Sequence, residues 1–343
     1  MKILLIAQAR KAEDQVGYER AWRSLADVRT IPWIGLAETR GWSALWDEIL
    51  CVNREWKPEL VFFQRFHSGQ PESPADCVAA LRLAANRPIV FGDIGDLYQP
   101  YWGHPWVRRF PRAIVDLARA ADCFFVTALG RQAQWLQAHG ARRIELLPLA
   151  FSNEHFPDWN APLPNEYRHD VVMVGSICLQ LSRPISTLEH IRRRMVAANA
   201  LWKRFGERFA LYGRGWRGHP ACRGDVPYRE QVRLYQSARV CVDAPPPCDE
   251  ECYCSNRPFY IAGAGATLVQ QYQKGLENIF RAGRDAYFVR DAKELVRMCD
   301  ELLSRDPREL RRLGEDTRRY IQEHHTVACR VQRILEIAKG MRG

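Results

Sequence analysis

The chain has 343 residues, 47% of them hydrophobic, 26% charged and 11% aromatic, a balance that excludes a disordered protein and is rich enough to fill more than one core. Its longest uncharged apolar run, Ile261 to Val269, is far too short for the ~20 residues of a membrane-spanning helix. The formal charge is +10, carried by 43 arginines and only 7 lysines; the base composition of the gene or a polyanionic partner would account for it, arginine being the better bidentate ligand for phosphate.

Along the chain, short apolar runs alternate with amphipathic stretches, the pattern of βαβ units on a parallel sheet. Strands are expected at Lys2 to Ala7, Leu60 to Phe63, Pro88 to Phe91, Asp122 to Val126 and Ile144 to Leu147, with helices at Pro74 to Ala85 and Gly130 to His139. The first run is read as a strand and not as a signal peptide, because Gln8 and Arg10 end it early and no small-residue cleavage site follows. Residues 151–168, rich in Pro and Asn and without periodicity, read as a linker. Strands resume at Asp170 to Val174, Phe209 to Tyr212, Val240 to Asp243, Ala266 to Val269 and Ala286 to Val289, followed by helices at Ala292 to Leu303, Pro307 to His324 and Thr326 to Met341. The expected architecture is α/β: two doubly wound domains, 1–150 and 169–325, with a C-terminal helix over 326–343 that can return to the first domain. Ligands of such folds bind at the carboxyl ends of the strands, which places the expected site in a cleft between the domains. Eleven scattered cysteines, an odd number, argue against a disulfide framework and for a reducing, cytoplasmic compartment.

Four stretches carry candidate chemistry. Gly213-Arg214-Gly215-Trp216-Arg217-Gly218 has the G-x-G-x-x-G spacing, but His219-Pro220 follows at once and no helix opens there, so a dinucleotide site is rejected in favour of a loop at a sheet edge. Gly175-Ser176 ends a strand and is followed by Arg183-Pro184 before a helix, a turn whose backbone N–H groups can meet a phosphate; an ordinary βα loop reads the same. Asp93, with Asp96 in reserve, sits at the end of a strand, where an aspartate either takes a proton or caps a turn. The stretch after it interleaves Tyr101, Trp102, His104 and Trp106 with Arg108, Arg109 and Arg112, either to stack on rings and grip phosphates or to pack a Pro-rich loop. Cys248 to Cys254, with His219 and Cys222 as possible neighbours, lacks the paired C-x2-C spacing of structural zinc and is read as reduced thiols. His67 is read as a structural or a ligand-facing histidine alike, and Arg192-Arg193-Arg194 as a solvated helical face.

The succession of Gly175-Ser176, Leu211 to Trp216, Asn256-Arg257-Pro258-Phe259-Tyr260 with its glycine-rich turn, and Arg290 to Leu295 resembles the GT-B glycosyltransferases, in particular the CgeB-like (spore maturation protein) branch and, in layout, phage DNA β-glucosyltransferase. The resemblance implies a nucleotide-sugar co-substrate, for instance a UDP-sugar, with no other cofactor and no metal. It places Gly175 and Ser176 near the donor diphosphate, Arg183 and Arg257 on it, and the Gly213–Arg214 loop beside the base. Where these families hold the donor ribose with a glutamate, this chain has Tyr260, so either Glu250 or Glu251 supplies the carboxylate from the loop before it or the donor is held in another way. Asp93 matches the position of an aspartate that deprotonates the acceptor in an inverting reaction. With the basic charge and the ring-and-arginine stretch, the resemblance favours hydroxymethylpyrimidine in duplex DNA, its base flipped out, as acceptor. The alternatives are a cell-envelope glycan, a lipid-linked sugar or a protein as acceptor, or a catalytically silent domain that binds nucleotide sugar or nucleic acid.

Overall fold

The computed structural model describes residues 1–11, 16–66, 72–95, 110–156, 159–164, 166–178, 184–244 and 250–342. It divides into two compact units, Met1–Leu149 with Val327–Gly343, and Ala150–Thr326.

In the first unit six strands form one parallel sheet: β1 (Lys2–Ala7), β2 (Asp27–Pro32), β3 (Leu60–Phe63), β4 (Ile89–Asp93), β5 (Cys123–Val126) and β6 (Ile144–Leu146), in the order β2-β1-β3-β4-β5-β6. β3 and β5 are buried at every residue, as strands covered on both faces must be, and they therefore read as unbroken apolar runs. The helices are α1 (Val16–Leu25), α2 (Trp33–Trp56), α3 (Ala75–Leu83), α4 (Arg112–Ala120) and α5 (Arg131–Ala138). The sequence reading missed α1, β2 and α2. β2 lies at the sheet edge and its Asp27 and Arg29 are exposed, while α2 is broken at Gly41, whose φ of 84° interrupts the helical period.

In the second unit five strands pair in parallel: β7 (His169–Val174), β8 (Phe209–Tyr212), β9 (Ala238–Asp243), β10 (Leu268–Gln271) and β11 (Tyr287–Val289), in the order β11-β10-β9-β7-β8. β10 begins two residues later than expected, after the Gly265 turn. The helices are α6 (Pro184–Phe205), α7 (Gln231–Gln236), α8 (Asn256–Gly263), α9 (Ala292–Ser304) and α10 (Pro307–His324). α9 starts where the Asp291 carboxylate accepts the Glu294 N–H at 2.8 Å, and α10 where Asp306 accepts from Arg308 at 2.8 Å with Pro307 in the first turn. A last helix, α11 (Val327–Gly340), belongs to the first unit and packs on α1. Among the described residues of 151–168 there is no helix or strand, only a bridge from Phe151 to Thr326.

Both sheets reverse strand order at their first strand, between β1 and β3 and between β7 and β9. Connections diverge to opposite faces there and open a crevice at the carboxyl ends. Among the described residues no helix is long and apolar enough to cross a membrane.

Candidate functional site

The reversal in the second unit brings three loops together. After β7 the chain turns at Gly175-Ser176, and the loop after β8 closes on that turn: the Gly175 N–H donates to Tyr212 O at 2.9 Å, Ile177 N–H to Arg214 O at 2.9 Å, and Arg214 N–H to Ser176 Oγ at 3.1 Å. The buried indole of Trp216 donates to Gly175 O. The glycines make this approach possible. A Cβ on Gly213 would stand 2.5 Å from Gly175 O, and one on Gly215 2.5 Å from Ile177 O, with φ of 131° and 92°. The G-x-G-x-x-G spacing thus serves loop-on-loop packing, and no helix opens from it.

β9 ends at Asp243, which is 1% exposed. Arg257, in the first turn of α8, donates Nη1 to Asp243 Oδ1 at 2.6 Å, and Asp243 Oδ2 has no partner among the described residues. The third member is a residue the sequence reading misplaced. Arg192 and Arg193 pair with Glu189 at 2.8 and 3.2 Å, but Arg194 is buried and not solvated: its Nε donates to Ala244 O at 3.0 Å and its Nη1 to Ser176 O. A helical period separates them, because Arg194 shares a face with buried Ala197, Ala198 and Leu201. His190, one turn earlier, has an Nε2 without a partner among the described residues, and burial, then the charges of Arg194 and Arg257, push its pKa down to about 3. A cavity of about 300 Å³ opens beside Asp243, lined also by Arg192, Arg193, Gln271 and Arg290.

Other candidates lie elsewhere. Tyr260 is buried in an aromatic cluster, its ring 4.9 Å from Phe156 and 6.2 Å from Phe151, its hydroxyl bonded to that of Tyr228. Glu251 pairs with Lys274 at 2.8 Å, and Glu250 is buried. Arg214 is exposed, with Asp225 at 3.8 Å. His219 packs edge-on against Trp216 and Trp202. Cys252 and Cys254 are buried thiols, and among the described residues no group of three His, Cys, Asp or Glu could hold a metal ion. Arg183, Asp96, Tyr101, Trp102, His104, Trp106, Arg108 and Arg109 lie outside the described residues, as do His67 and Cys248.

In the first unit Asp93 ends β4, 9% exposed, its Oδ1 accepting the Arg65 backbone N–H. Burial raises its pKa from 3.8 to about 6, opposed by the charge and the N–H of Arg65. That guanidinium also lies 5.1 Å from the Tyr18 ring. Arg112 begins α4, exposed to solvent with Asp116 at 3.4 Å. A separate cavity of about 620 Å³ in this unit is lined by Trp46, Glu72, Asp76, Cys77 and Arg112.

Residues 188–336, from α6 into α11, match the family described as glycosyl transferase-like. The fold is of the GT-B type. Across 99% of both chains it is similar to sucrose-phosphate synthase from Thermosynechococcus elongatus, at 14% identity and a TM-score of 0.62. HepE from Anabaena, solved with UDP and glucose, is similar over 99% of both chains at 13% identity and a TM-score of 0.58. A trehalose-6-phosphate synthase studied for glycosyl transfer with retention is similar over 99% of both chains at 10% identity and a TM-score of 0.63. No curated protein sequence matches the chain.

Proposed function

We propose that this glycosyltransferase takes its sugar from a nucleotide sugar whose diphosphate sits on the Gly175-Ser176 turn, against Arg257 and Arg183, with the Gly213–Arg214 loop beside the base. The observation that carries this reading is the arginine cluster at the strand reversal, where among the described residues Arg257 and Arg194 share one carboxylate, that of Asp243, within the stretch that matches the family. HepE, which binds UDP and glucose, supports a UDP-sugar as donor. In the reaction an acceptor oxygen attacks the anomeric carbon, the bond from that carbon to the diphosphate breaks, and the charge gathering on the leaving group is met by guanidinium and backbone N–H groups. Asp93 takes the acceptor proton, and its raised pKa suits a base working near neutrality. Inversion rests on that assignment, and the anomeric configuration of the product tests it. Tyr260, packed among rings, offers the donor no carboxylate.

For the acceptor, a sugar hydroxyl has the better support. The cavity with Trp46, Glu72 and Asp76, lined also by Arg112, offers a ring to stack on and carboxylates that accept from hydroxyls. The duplex-DNA acceptor rests on the +10 charge and on a stretch that lies, apart from Arg112, outside the described residues. Labelled UDP-glucose separates the readings. Label on oligosaccharide supports the first, and label on DNA carrying 5-hydroxymethylcytosine but not on plain DNA supports the second. Tight UDP-glucose binding with neither transfer nor slow hydrolysis would leave a silent binding domain.

A further inference from the structure

Arg194 differs from the other arginines of the cluster in what it touches. Its guanidinium spans from Ser176 O, just past β7, to Ala244 O, just past β9, so one side chain ties the two strand ends at which the sheet order reverses. It lies directly under the turn: a Cβ on Gly175 would come within 2.9 Å of Arg194 Cζ. The tie has a consequence for the backbone above it. Gly175 and Ile177 spend their N–H groups on Tyr212 O and Arg214 O. Ser176 O is held by Arg194, and the Ser176 N–H donates to no described residue. The turn therefore presents one unspent N–H beside a guanidinium.

Among the described residues the charges around it do not balance. From β9 comes Asp243, from α8 Arg257, from α7 the neutral Tyr235, and from its own helix the neutral His190. Burial, then the charge of Arg257, lowers the pKa of Arg194 to about 9 against the pull of Asp243, so it remains a cation at neutral pH. Among the described residues two guanidiniums face one carboxylate, and Arg257 already occupies Asp243 Oδ1. A buried cation without its own counter-charge is costly until an anion arrives.

We infer that Arg194 is a positioning residue of an anion seat: acting through the Gly175-Ser176 turn, it holds the Ser176 N–H for a pyrophosphate-bearing ligand and leaves the seat one positive charge in excess. The inference rests on the donor reading above for the identity of that ligand as a nucleoside diphosphate, but the seat can be tested without any transfer chemistry.

The test is calorimetric titration of the full chain with inorganic pyrophosphate, at two salt concentrations, for the wild type, Arg194→Gln and Arg194→Lys, all held below their melting temperatures. The wild type should bind, and Arg194→Gln should lose about tenfold or more in affinity together with part of the salt dependence. Arg194→Lys should recover the salt dependence and only part of the affinity, because an ammonium keeps the charge but cannot span both carbonyls. A purely structural arginine would lower stability and leave the affinity and salt slope of the folded protein unchanged, and that result overturns the inference. If Arg194→Gln does not fold, Arg194→Lys decides alone: unchanged affinity overturns the inference, a severalfold loss upholds it. No pyrophosphate binding by the wild type also overturns it. Binding that follows these expectations without any turnover of UDP-glucose leaves the seat standing and removes the transfer reading instead.

Discussion

Replacing Asp93 by asparagine tests the base and its environment together. The carboxyl is buried at the end of β4 and its pKa rises from 3.8 to about 6, because burial outweighs the charge and N–H of Arg65. The folded protein thus binds this proton more tightly than the unfolded chain. Its contribution is most favourable below pH ~4, is lost as the pH climbs through about 6, and is flat beyond. At ~1.4 kcal/mol per pKa unit, ionised Asp93 costs the fold about 3 kcal/mol at pH 7.5. Asparagine keeps an oxygen to accept the Arg65 N–H and never ionises. Asp93→Asn should therefore be more stable than the wild type at pH 7.5, by up to about 3 kcal/mol, and no more stable at pH 4. Urea melts followed by far-UV circular dichroism across that range measure the difference. Turnover should fall by at least ~10²-fold, while wild-type kcat/KM rises through pH ~6 to a plateau. A variant that loses stability equally at both pH values, or that keeps normal turnover, would refute the reasoning.

Arg257→Ala strands the Asp243 carboxylate in the interior and should cost on the order of 3–5 kcal/mol; adding Asp243→Asn should restore much of that stability in melts while UDP affinity stays about tenfold or more below wild type. Gly213→Ala drives a Cβ to 2.5 Å from Gly175 O and should weaken UDP binding with little change in circular dichroism, whereas Gly218→Ala, which has open space around it, should bind UDP nearly as the wild type does. On the proposed reading, in which guanidinium groups supply the positive charge, turnover of UDP-glucose should persist in excess EDTA; loss on chelation with recovery on adding manganese would assign that charge to a metal.

The fold was legible wherever burial on both faces left an unbroken apolar run between breakers. Leu60–Phe63 and Phe209–Tyr212 were placed to the residue in this way, and Pro307–His324 by its helical period after the Asp306-Pro307 start. The stretch from Val16 to Trp56 was not, because an edge strand with exposed charges and a helix interrupted at Gly41 blur both periods. At the site, Gly175-Ser176, Arg257 and Asp93 were singled out from their places at strand ends and a helix start, which sequence patterns mark well. Arg194 was lost inside a run of three identical letters, although its spacing to Ala197, Ala198 and Leu201 carried the signal. The role of Tyr260 could not be read locally, since its partners Phe151, Phe156 and Tyr228 are distant in sequence.

The chain leaves the first unit after Leu149 and rejoins it at Val327, and the two crossings meet where Phe151 bridges Thr326 and takes a 2.8 Å hydrogen bond from its N–H to His325 O. The second unit is therefore a continuous cassette whose ends come together, while the unit that bears Asp93 is assembled from both ends of the polypeptide. On the ribosome the order of completion is inverted: the inserted cassette is fully synthesised first, and the unit begun earliest waits for Val331, Ile334, Leu335 and Ala338 of α11 to bury its last apolar face. A nonsense codon near position 326 would spare the unit that holds Gly175, Arg194 and Arg257 and cripple the half of the molecule made long before it.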